Sequence, residues 1–167
     1  MLTLGIETSC DETSVALLRG RDGVVVNLIA SQYEAHAAFG GVVPEIASRK
    51  HLETLNPLLA AAKSQAGIEW SDIDLVAVTH GPGLVGALLV GVAAAKALAY
   101  AWKLPCLPVN HIEGHIVSTF LQEPDLEFPM LCLVVSGGHS DLVLMRGHGH
   151  FVRGFVLGLL RHRVGGL

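Results

Sequence analysis

The chain has 167 residues, of which 51% are hydrophobic and 16% charged. This composition is typical of a folded domain with a buried core and excludes a disordered, charge-rich chain. The formal net charge of −4 excludes a general basic field that attracts nucleic acid, so any RNA contact would need a local patch or a partner.

The first predicted elements are three strands in sequence. Apolar runs bounded by turn residues predict strands at Leu2–Ile6, Ser14–Leu18 and Val24–Ala30. A polar turn, Thr8–Thr13, lies between the first two strands. Three consecutive strands joined by short turns favour an antiparallel meander.

Helices and strands alternate after the meander. A loop is expected at His36–Pro44 because it contains two adjacent glycines. The elements that follow are a helix at Glu45–Ala66, a strand at Leu75–Thr79, a helix at Leu84–Trp102, a strand at Cys106–Val109 and a helix at Asn110–Leu121. The order β-β-β-α-β-α-β-α predicts an α/β fold with a mixed sheet and helical crossovers.

Two of these helices have informative apolar patterns. The uncharged stretch Leu84–Ala95 is too short to span a bilayer, so we expect a buried helix and no membrane contact. Six apolar residues of the first long helix are expected to share one buried face: Ile46, Leu52, Leu55, Leu58, Leu59 and Ala62.

The strand–turn–strand pattern starts again near Pro129. Met130–Val135 and Ser140–Met145 are predicted strands joined by the tight turn Ser136–His139. This repeats the hairpin at the start of the chain, as a protein with two duplicated lobes would.

Cysteine usage and the N-terminus bear on the compartment. Cys10, Cys106 and Cys132 are odd in number, far apart and without a CxxC pair, which indicates a reduced chain without a disulfide framework. The short apolar run Met1–Ile6 is followed at once by acidic residues, unlike a signal peptide. We therefore expect a cytoplasmic protein.

Two histidines in the last predicted helix have the spacing of metal ligands. His111 and His115 are four residues apart, so on a helix they project from one face and can bind one ion. The alternative is a pair of surface histidines. Glu113 lies nearly opposite them on the helix, which argues against the arrangement of a HExxH metalloprotease.

Three turns have the composition of ligand-binding loops. The glycines in Ser136–His139 can bring backbone N–H groups to an anion, although an ordinary hairpin turn has the same composition. The turn Glu7–Thr13 carries hydroxyls and carboxylates that suit phosphate or a cation, or simply a solvated hairpin. Thr79–Gly83 follows a strand and precedes a helix, where anions often bind, but a structural turn can look the same.

Together these segments resemble one protein family. The strings GIETSCDETS, HAAFGGVVPEIASRKH, VTHGPGLVGALLVG, PVNHIEGH and LVVSGGHSDLV resemble, in order and spacing, the TsaD family of tRNA-modifying threonylcarbamoyltransferases. The resemblance runs from about Leu2 to Gly149. It implies an ASKHA fold, the two-lobed architecture of actin, Hsp70 and sugar kinases. We expect a complete first lobe at residues 1–125 and the beginning of a truncated second lobe at 126–167, with a hairpin at 130–146.

The resemblance also implies an activity and a set of site residues. A threonylcarbamoyl group would pass from threonylcarbamoyl-adenylate to N6 of adenosine 37 in tRNAs that read ANN codons. His111 and His115 match the family's metal-binding histidines, where the ion is iron or zinc. Asp11 and Glu12 match acidic residues that face the cleft and are the candidate catalytic residues. The adenylate or ATP would be bound by the segment Val134, Val135, Ser136, Gly137, Gly138 and His139. The implied partners are tRNA, a TsaB-like paralogue, a TsaE-like ATPase and a TsaC-like adenylate synthase.

The sequence departs from the family pattern at its end. The tail at 151–167 is basic and apolar with no acidic residue, and the family's third metal ligand, a C-terminal aspartate, has no counterpart. We expect the tail to be out of frame with its ancestral coding sequence, the chain alone to be inactive, and the exposed second-lobe edge to favour self-association. Two other functions remain open: a non-catalytic partner-binding module, and the glycoprotein endopeptidase activity of older family descriptions.

Overall fold

The chain divides into two units, Met1–His111 and Ile112–Leu167. A computed structural model describes residues 1–21, 23–135 and 140–153. The predicted lobe boundary after residue 125 falls inside the second unit and stays a prediction. Most of the tail at 151–167 lies outside the described residues.

A five-stranded mixed sheet organises the first unit. Its strands are β1 (Leu2–Glu7), β2 (Glu12–Arg19), β3 (Gly23–Ser31), β4 (Leu75–Gly81) and β5 (Cys106–Asn110). The order across the sheet is β3-β2-β1-β4-β5. The pairs β1–β2 and β2–β3 are antiparallel, whereas β1–β4 and β4–β5 are parallel. The predicted meander is therefore present, and the helical crossovers extend it with parallel strands.

Three α-helices accompany this sheet in the described part of the unit. They are α1 (Tyr33–Ala37), α2 (Pro44–Ala66) and α3 (Val85–Trp102). The prediction of a loop at His36–Pro44 was wrong for its first two residues, which end α1. The reason is local: the carbonyl of Gln32 accepts hydrogen bonds from the N–H groups of Ala35 and His36, and these close one helical turn.

The buried face of α2 differs from the predicted one. The residues that are buried follow a stripe with spacings of three and four: Ala47, His51, Leu55, Leu59 and Ala62. Leu52 was predicted to be buried, but its side chain is 65% exposed. Because His51 takes the core position, Leu52 is rotated about 100° away from the sheet.

Helix α3 packs closely because its buried residues are small. Ala87, Gly91, Ala95 and Ala99 are its buried positions, and they lie against β1, β4 and α2. Within the described residues, α3 has the length and composition of a helix that crosses a membrane, but a core helix passes the same test. Its contacts with the sheet favour the core role.

The second unit joins a short helix to an antiparallel sheet. Helix α4 (His111–Ser118) begins at the division between the units, and the strands are β6 (Met130–Val135), β7 (Ser140–Gly147) and β8 (His150–Arg153). The sheet order is β6-β7-β8, and the predicted hairpin is present, with Met130 opposite Met145. Strand β8, at the start of the tail, was not predicted.

The core of the second unit forms between α4 and this sheet. Its buried members are Ile112, Ile116, Phe120, Val143 and Met145. On β6, alternate residues leave this core: Leu131, Leu133 and Val135 are 63%, 67% and 67% exposed. The apolar row at these three positions therefore has no cover within the described residues.

Candidate functional site

The candidate site lies at the carboxyl ends of three parallel strands. Glu7 ends β1, Thr79 lies near the end of β4, and His111 directly follows β5. Because β1, β4 and β5 run in the same direction, these residues are brought to one edge of the sheet. Ligands of open α/β sheets bind at such an edge.

Glu7 is held in its ionised form. One carboxylate oxygen accepts a hydrogen bond from the N–H of Ser9 at 2.5 Å. Burial alone would raise the pKa of Glu7, but hydrogen bonds from Ser9 and Thr79 and the nearby His111 outweigh burial and lower it. The carboxylate is therefore a fixed negative charge beside the first residue of α4.

His111 presents one ring nitrogen to this carboxylate. Its Nδ1 lies 3.1 Å from Oγ of Ser9 and 3.5 Å from Oε2 of Glu7. In the predicted metal site, where Nδ1 keeps these contacts, His111 would bind the ion through Nε2. Metal-binding histidines commonly have their second nitrogen fixed by a carboxylate or another polar group.

Two histidines of α4 are the predicted metal ligands. His115 lies one turn after His111 on α4 and is exposed, and imidazole nitrogens are suitable ligands for iron or zinc. Within residues 1–21, 23–135 and 140–153 there is no group of three histidine, cysteine, aspartate or glutamate side chains that could hold a metal. Binding of one metal ion by His111 and His115 therefore stays a prediction.

The acidic turn, residues 8–11 between β1 and β2, is anchored by hydrogen bonds to three of its backbone carbonyl groups. The carbonyl of Ser9 accepts from the N–H of Leu84 at 2.8 Å, and that of Asp11 accepts from the N–H of Gln32 at 2.9 Å. Between them, the carbonyl of Cys10 accepts from Nε2 of His51 at 3.0 Å. Three consecutive carbonyls are thus anchored by three separate segments.

This anchoring leaves the acidic side chains at the surface. Asp11 is half-buried and Glu12 is exposed. Cys10 is exposed as a residue, yet partial burial of its thiol and the neighbouring Asp11 raise its pKa from 9.0 to about 11. The thiol is therefore protonated near neutral pH.

His51 connects the turn to a buried polar network. A carbonyl can only accept, so Nε2 of His51 carries the hydrogen, and Nδ1 accepts from the hydroxyl of Thr13 at 2.8 Å. The side-chain nitrogen of Gln32 lies 3.3 Å from the same Nδ1, and its oxygen accepts from Nε2 of His36 at 3.2 Å. Burial is the main cause that lowers the pKa of His51, so the ring is neutral.

The turn at Thr79–Gly83 has a structural role in this arrangement. A Cβ on Gly83 would lie only 2.5 Å from the carbonyl oxygen of Ser9. The glycine therefore lets the loop before α3 approach the acidic turn and donate the Leu84 hydrogen bond. Whether an anion also binds there stays a prediction.

The predicted adenylate segment is described only in part. Val134 and Val135 end β6, where Val134 is half-buried and Val135 is exposed. Ser136, Gly137, Gly138 and His139 lie outside the described residues. Ser140, opposite Val135, begins β7.

The sequence predicts His111, Asp11 and Glu12 as site residues but not the side chains that support this edge of the sheet. Glu7 and Ser9 belong to a segment that it marks only as a polar turn, and His51 lies outside the predicted apolar face of α2. A signal existed for His51, because it occupies an i+4 position between the buried residues Ala47 and Leu55. A histidine in an apolar stripe needs buried partners.

Comparison with known proteins finds one matching family. The sequence profile of TsaD, described as tRNA N6-adenosine threonylcarbamoyltransferase, matches residues 23–155. A protein of that description from Symbiobacterium thermophilum is 57% identical over 148 residues, which is 89% of this chain and 43% of the relative. One from Bacillus subtilis is 56% identical over 151 residues, 90% of this chain and 43% of the relative. The chain thus spans less than half the length of these relatives.

Solved structures share the fold. YeaZ from Pseudomonas aeruginosa superposes with a TM-score of 0.60 at 19% identity, covering 93% of this chain and 66% of that chain. At this identity the likeness is one of fold.

Proposed function

The chain belongs to the family of tRNA N6-adenosine threonylcarbamoyltransferases, and from that premise we propose that it supplies one side of a transferase site. The reaction is the transfer of a threonylcarbamoyl group from threonylcarbamoyl-adenylate to N6 of adenosine 37 in tRNAs that read ANN codons. The fold assigned to the chain under this proposal is the first lobe and the start of the second lobe of an ASKHA protein.

One observation carries this proposal. The acidic turn and the first histidine of α4 meet at the carboxyl ends of β1, β4 and β5, with Oγ of Ser9 3.1 Å from Nδ1 of His111. This edge of the sheet combines fixed carboxylates with a side chain suited to metal binding. Such a combination can orient an adenylate and the attacking amine without a covalent enzyme intermediate.

The proposed roles follow from charge and position. His111 and His115 hold one iron or zinc ion, which when bound supplies a positive charge that binds phosphate or carbonyl oxygens. Asp11 and Glu12 orient the reacting amine and accept its proton. The segment from Val134 to His139 binds the adenylate or ATP through backbone N–H groups.

A chimera tests this function. Residues 1–149 of this chain would replace the matching part of the Bacillus subtilis relative, which is 56% identical. We expect the chimera to label tRNA in an assay with threonylcarbamoyl-adenylate and the partner proteins, and Asp11→Asn to lower the rate at least about tenfold. Glu45→Gln, an exposed carboxylate paired with Arg49 on α2, is the matched control. A folded chimera without transfer would contradict the proposal.

A second role, docking of a partner, is favoured by an apolar groove between α2 and α3. Its lining residues are Leu52, Leu55, Asn56, Leu89, Val90, Ala93 and Ala94. Leu52 and Leu89 are 65% and 61% exposed, which is unusual for large aliphatic side chains placed side by side. We propose that this groove receives a TsaB-like paralogue. A TsaE-like ATPase and a TsaC-like adenylate synthase would then act in the same pathway.

Charge placed in the groove tests the docking. Leu52→Asp and Leu89→Asp should each weaken binding of the TsaB-like protein at least about tenfold in calorimetry, because a buried unpaired carboxylate is costly at an apolar interface. Tyr100→Asp is the control, since Tyr100 is 89% exposed on the same helix and does not line the groove. Equal loss in all three variants would argue against the groove.

The older endopeptidase function has less support. Glu113 lies in the first turn of α4, two residues from each of the two histidines. Residues two apart on a helix point to different sides. This position does not suit a base for a water molecule on an ion held by His111 and His115.

A further inference from the structure

Three hydrogen-bond donors anchor the carbonyl groups of the acidic turn. Two of them are backbone N–H groups and one is a side chain. The N–H groups of Leu84 and Gln32 anchor the carbonyls of Ser9 and Asp11. The imidazole of His51 anchors the carbonyl between them, that of Cys10. The geometry of the turn therefore depends on the identity of one residue that is 41 positions away in sequence.

We propose that His51 is a positioning residue, whose buried imidazole holds the Cys10 carbonyl and thereby fixes the turn that presents Asp11 and Glu12. The inference rests on the proposed function only in assigning Asp11 and Glu12 to the reaction. The positioning itself follows from contacts within the first unit.

The orientation of the ring is fixed from both sides. His51 is fully buried at 0% exposure, so solvent water does not substitute for a lost partner. Thr13 donates to Nδ1, which keeps the hydrogen on Nε2, where it points to Cys10. A methylene-length change at this position moves the donor out of hydrogen-bond range of the carbonyl.

The same network reaches Asp11 by a second route. Gln32 contacts Nδ1 of His51 through its side-chain nitrogen, and its backbone N–H donates to the Asp11 carbonyl. His36 holds the side-chain oxygen of Gln32 and accepts from the N–H of Val43. The charged groups that act on His51 are the carboxylates of Glu7 and Asp11. The network thus ties α1, α2 and the loop between them to the acidic turn.

Cys10 is a reporter of the turn. Its thiol pKa is about 11 because of partial burial and the nearby Asp11. A turn that opens would expose the thiol and move it away from Asp11, and its pKa would return towards 9.0. The rate of alkylation by iodoacetamide, which requires the thiolate, measures this change. Cys106→Ser and Cys132→Ser remove the other two thiols from the 167-residue chain.

Two substitutions at position 51 separate positioning from packing. The side-chain nitrogen of Gln in His51→Gln reaches about as far as Nε2, whereas Asn in His51→Asn is one methylene shorter. We expect His51→Asn to raise the alkylation rate of Cys10 at pH 8.5 at least about tenfold and His51→Gln to stay within about twofold of the parent. Leu59→Ala, in the apolar core two turns further along α2, should leave the rate unchanged despite its lower stability.

A second measurement uses the unsubstituted chain. The nitrogen shifts of His51 should show one neutral tautomer, with the hydrogen on Nε2, between pH 7 and pH 8. Equal rates in the Asn and Gln variants, a rise with Leu59→Ala, or a hydrogen on Nδ1 would each overturn the proposal. None of these readouts uses tRNA or adenylate, so a failed transfer assay leaves the inference on His51 standing.

Discussion

At the scale of single residues, the site depends on which nitrogen of His111 faces the protein. Glu7 and Ser9 contact Nδ1, and in the proposed metal site His111 would bind the ion through Nε2. A carboxylate behind an imidazole orients the ring and makes it a better electron donor to the ion. In that site, Glu7 would therefore act on the ion through His111.

We predict that Glu7→Gln weakens metal binding. Removing the negative charge while keeping the shape should lower the affinity for zinc about tenfold. Competition with a chromophoric chelator measures this affinity without any catalytic assay. Glu45→Gln, on the exposed surface of α2, should match the unsubstituted chain, and an unchanged affinity in Glu7→Gln would refute the role of Glu7.

We predict that His51 makes the stability of the chain depend on pH. Burial lowers the folded-state pKa of His51 below its ordinary value of 6.5. As the pH falls below 6.5, the unfolded chain takes up a proton at His51 that the folded chain does not. This site therefore lowers the free energy of unfolding, by at most about 1.4 kcal/mol per pH unit.

His51→Gln should remove this part of the pH dependence. Urea titrations of both proteins between pH 7.5 and pH 5 give the difference in slope. The pKa of Glu7 is also lowered, from 4.5, so its contribution is present above pH 4.5 and is lost as the pH falls through its folded pKa. Measurements between pH 6.5 and pH 5 therefore report the contribution of His51 to stability without that of Glu7. Parallel curves for the two proteins would contradict the prediction.

At this scale the sequence predicts candidate ligands more readily than the side chains that support them. His111 and His115 are predicted ligands because their spacing places them on one face of a helix. His111 is 102 positions from Ser9 and 104 from Glu7, and the parallel pairing of β1, β4 and β5 brings them together. No local pattern encodes such a contact.

At the scale of elements, the packing of α3 on β1 depends on a missing side chain. Thr8, fully buried, donates to the carbonyl of Ala87 at 2.9 Å and accepts from the N–H of Gly91 at 3.1 Å. A Cβ on Gly91 would lie 2.4 Å from Oγ1 of Thr8. The helix can approach the strand so closely because position 91 is a glycine.

We predict that Gly91→Ala destabilises the chain by about 2 kcal/mol, because overpacking and the displaced hydrogen bond outweigh the gain in helix propensity. Gly114→Ala in α4 is the control, since nothing in the described part of the chain lies within 4 Å of its added Cβ. That variant should be about 0.5–1 kcal/mol more stable. Thermal unfolding of both measures the contrast, and equal stabilities would refute the argument.

The type and order of the elements were predictable from the sequence, whereas the buried face of α2 was not. Strands β1 to β5 and helices α2 and α3 all lie within a residue or two of their predicted limits. The face of α2 was misassigned because Leu52 was given a core position that His51 holds. Hydrophobic periodicity cannot recognise a histidine whose polar atoms are all satisfied inside a core.

At the scale of the whole molecule, the outer face of β6 bears on self-association. Leu131, Leu133 and Val135 form an apolar row that is more than 60% exposed at each position. β6 is also an edge strand of its sheet. Exposed edges with apolar faces pair readily with other chains.

We predict that the purified chain self-associates through this strand. Sedimentation velocity should show concentration-dependent oligomers that Leu133→Lys reduces, because a charged residue on an edge strand opposes pairing. Leu89→Lys, in the first unit, serves as the control for added charge. Oligomers that persist in Leu133→Lys but disappear in Leu89→Lys would assign the contact to the other apolar surface, the groove between α2 and α3.

The long-range hydrogen bonds of the acidic turn also determine when the site forms during folding. Its two flanking strands form a local hairpin, but the donors to its carbonyls are Gln32, His51 and Leu84, which are up to 75 residues away. Contacts of such long range form after local ones because closing the intervening chain costs entropy. The turn therefore becomes rigid only when α2 and the start of α3 have docked. The amide hydrogens of Gln32 and Leu84 should accordingly exchange with solvent at the rate of global unfolding. This would mean that the turn and its anchoring segments become ordered together.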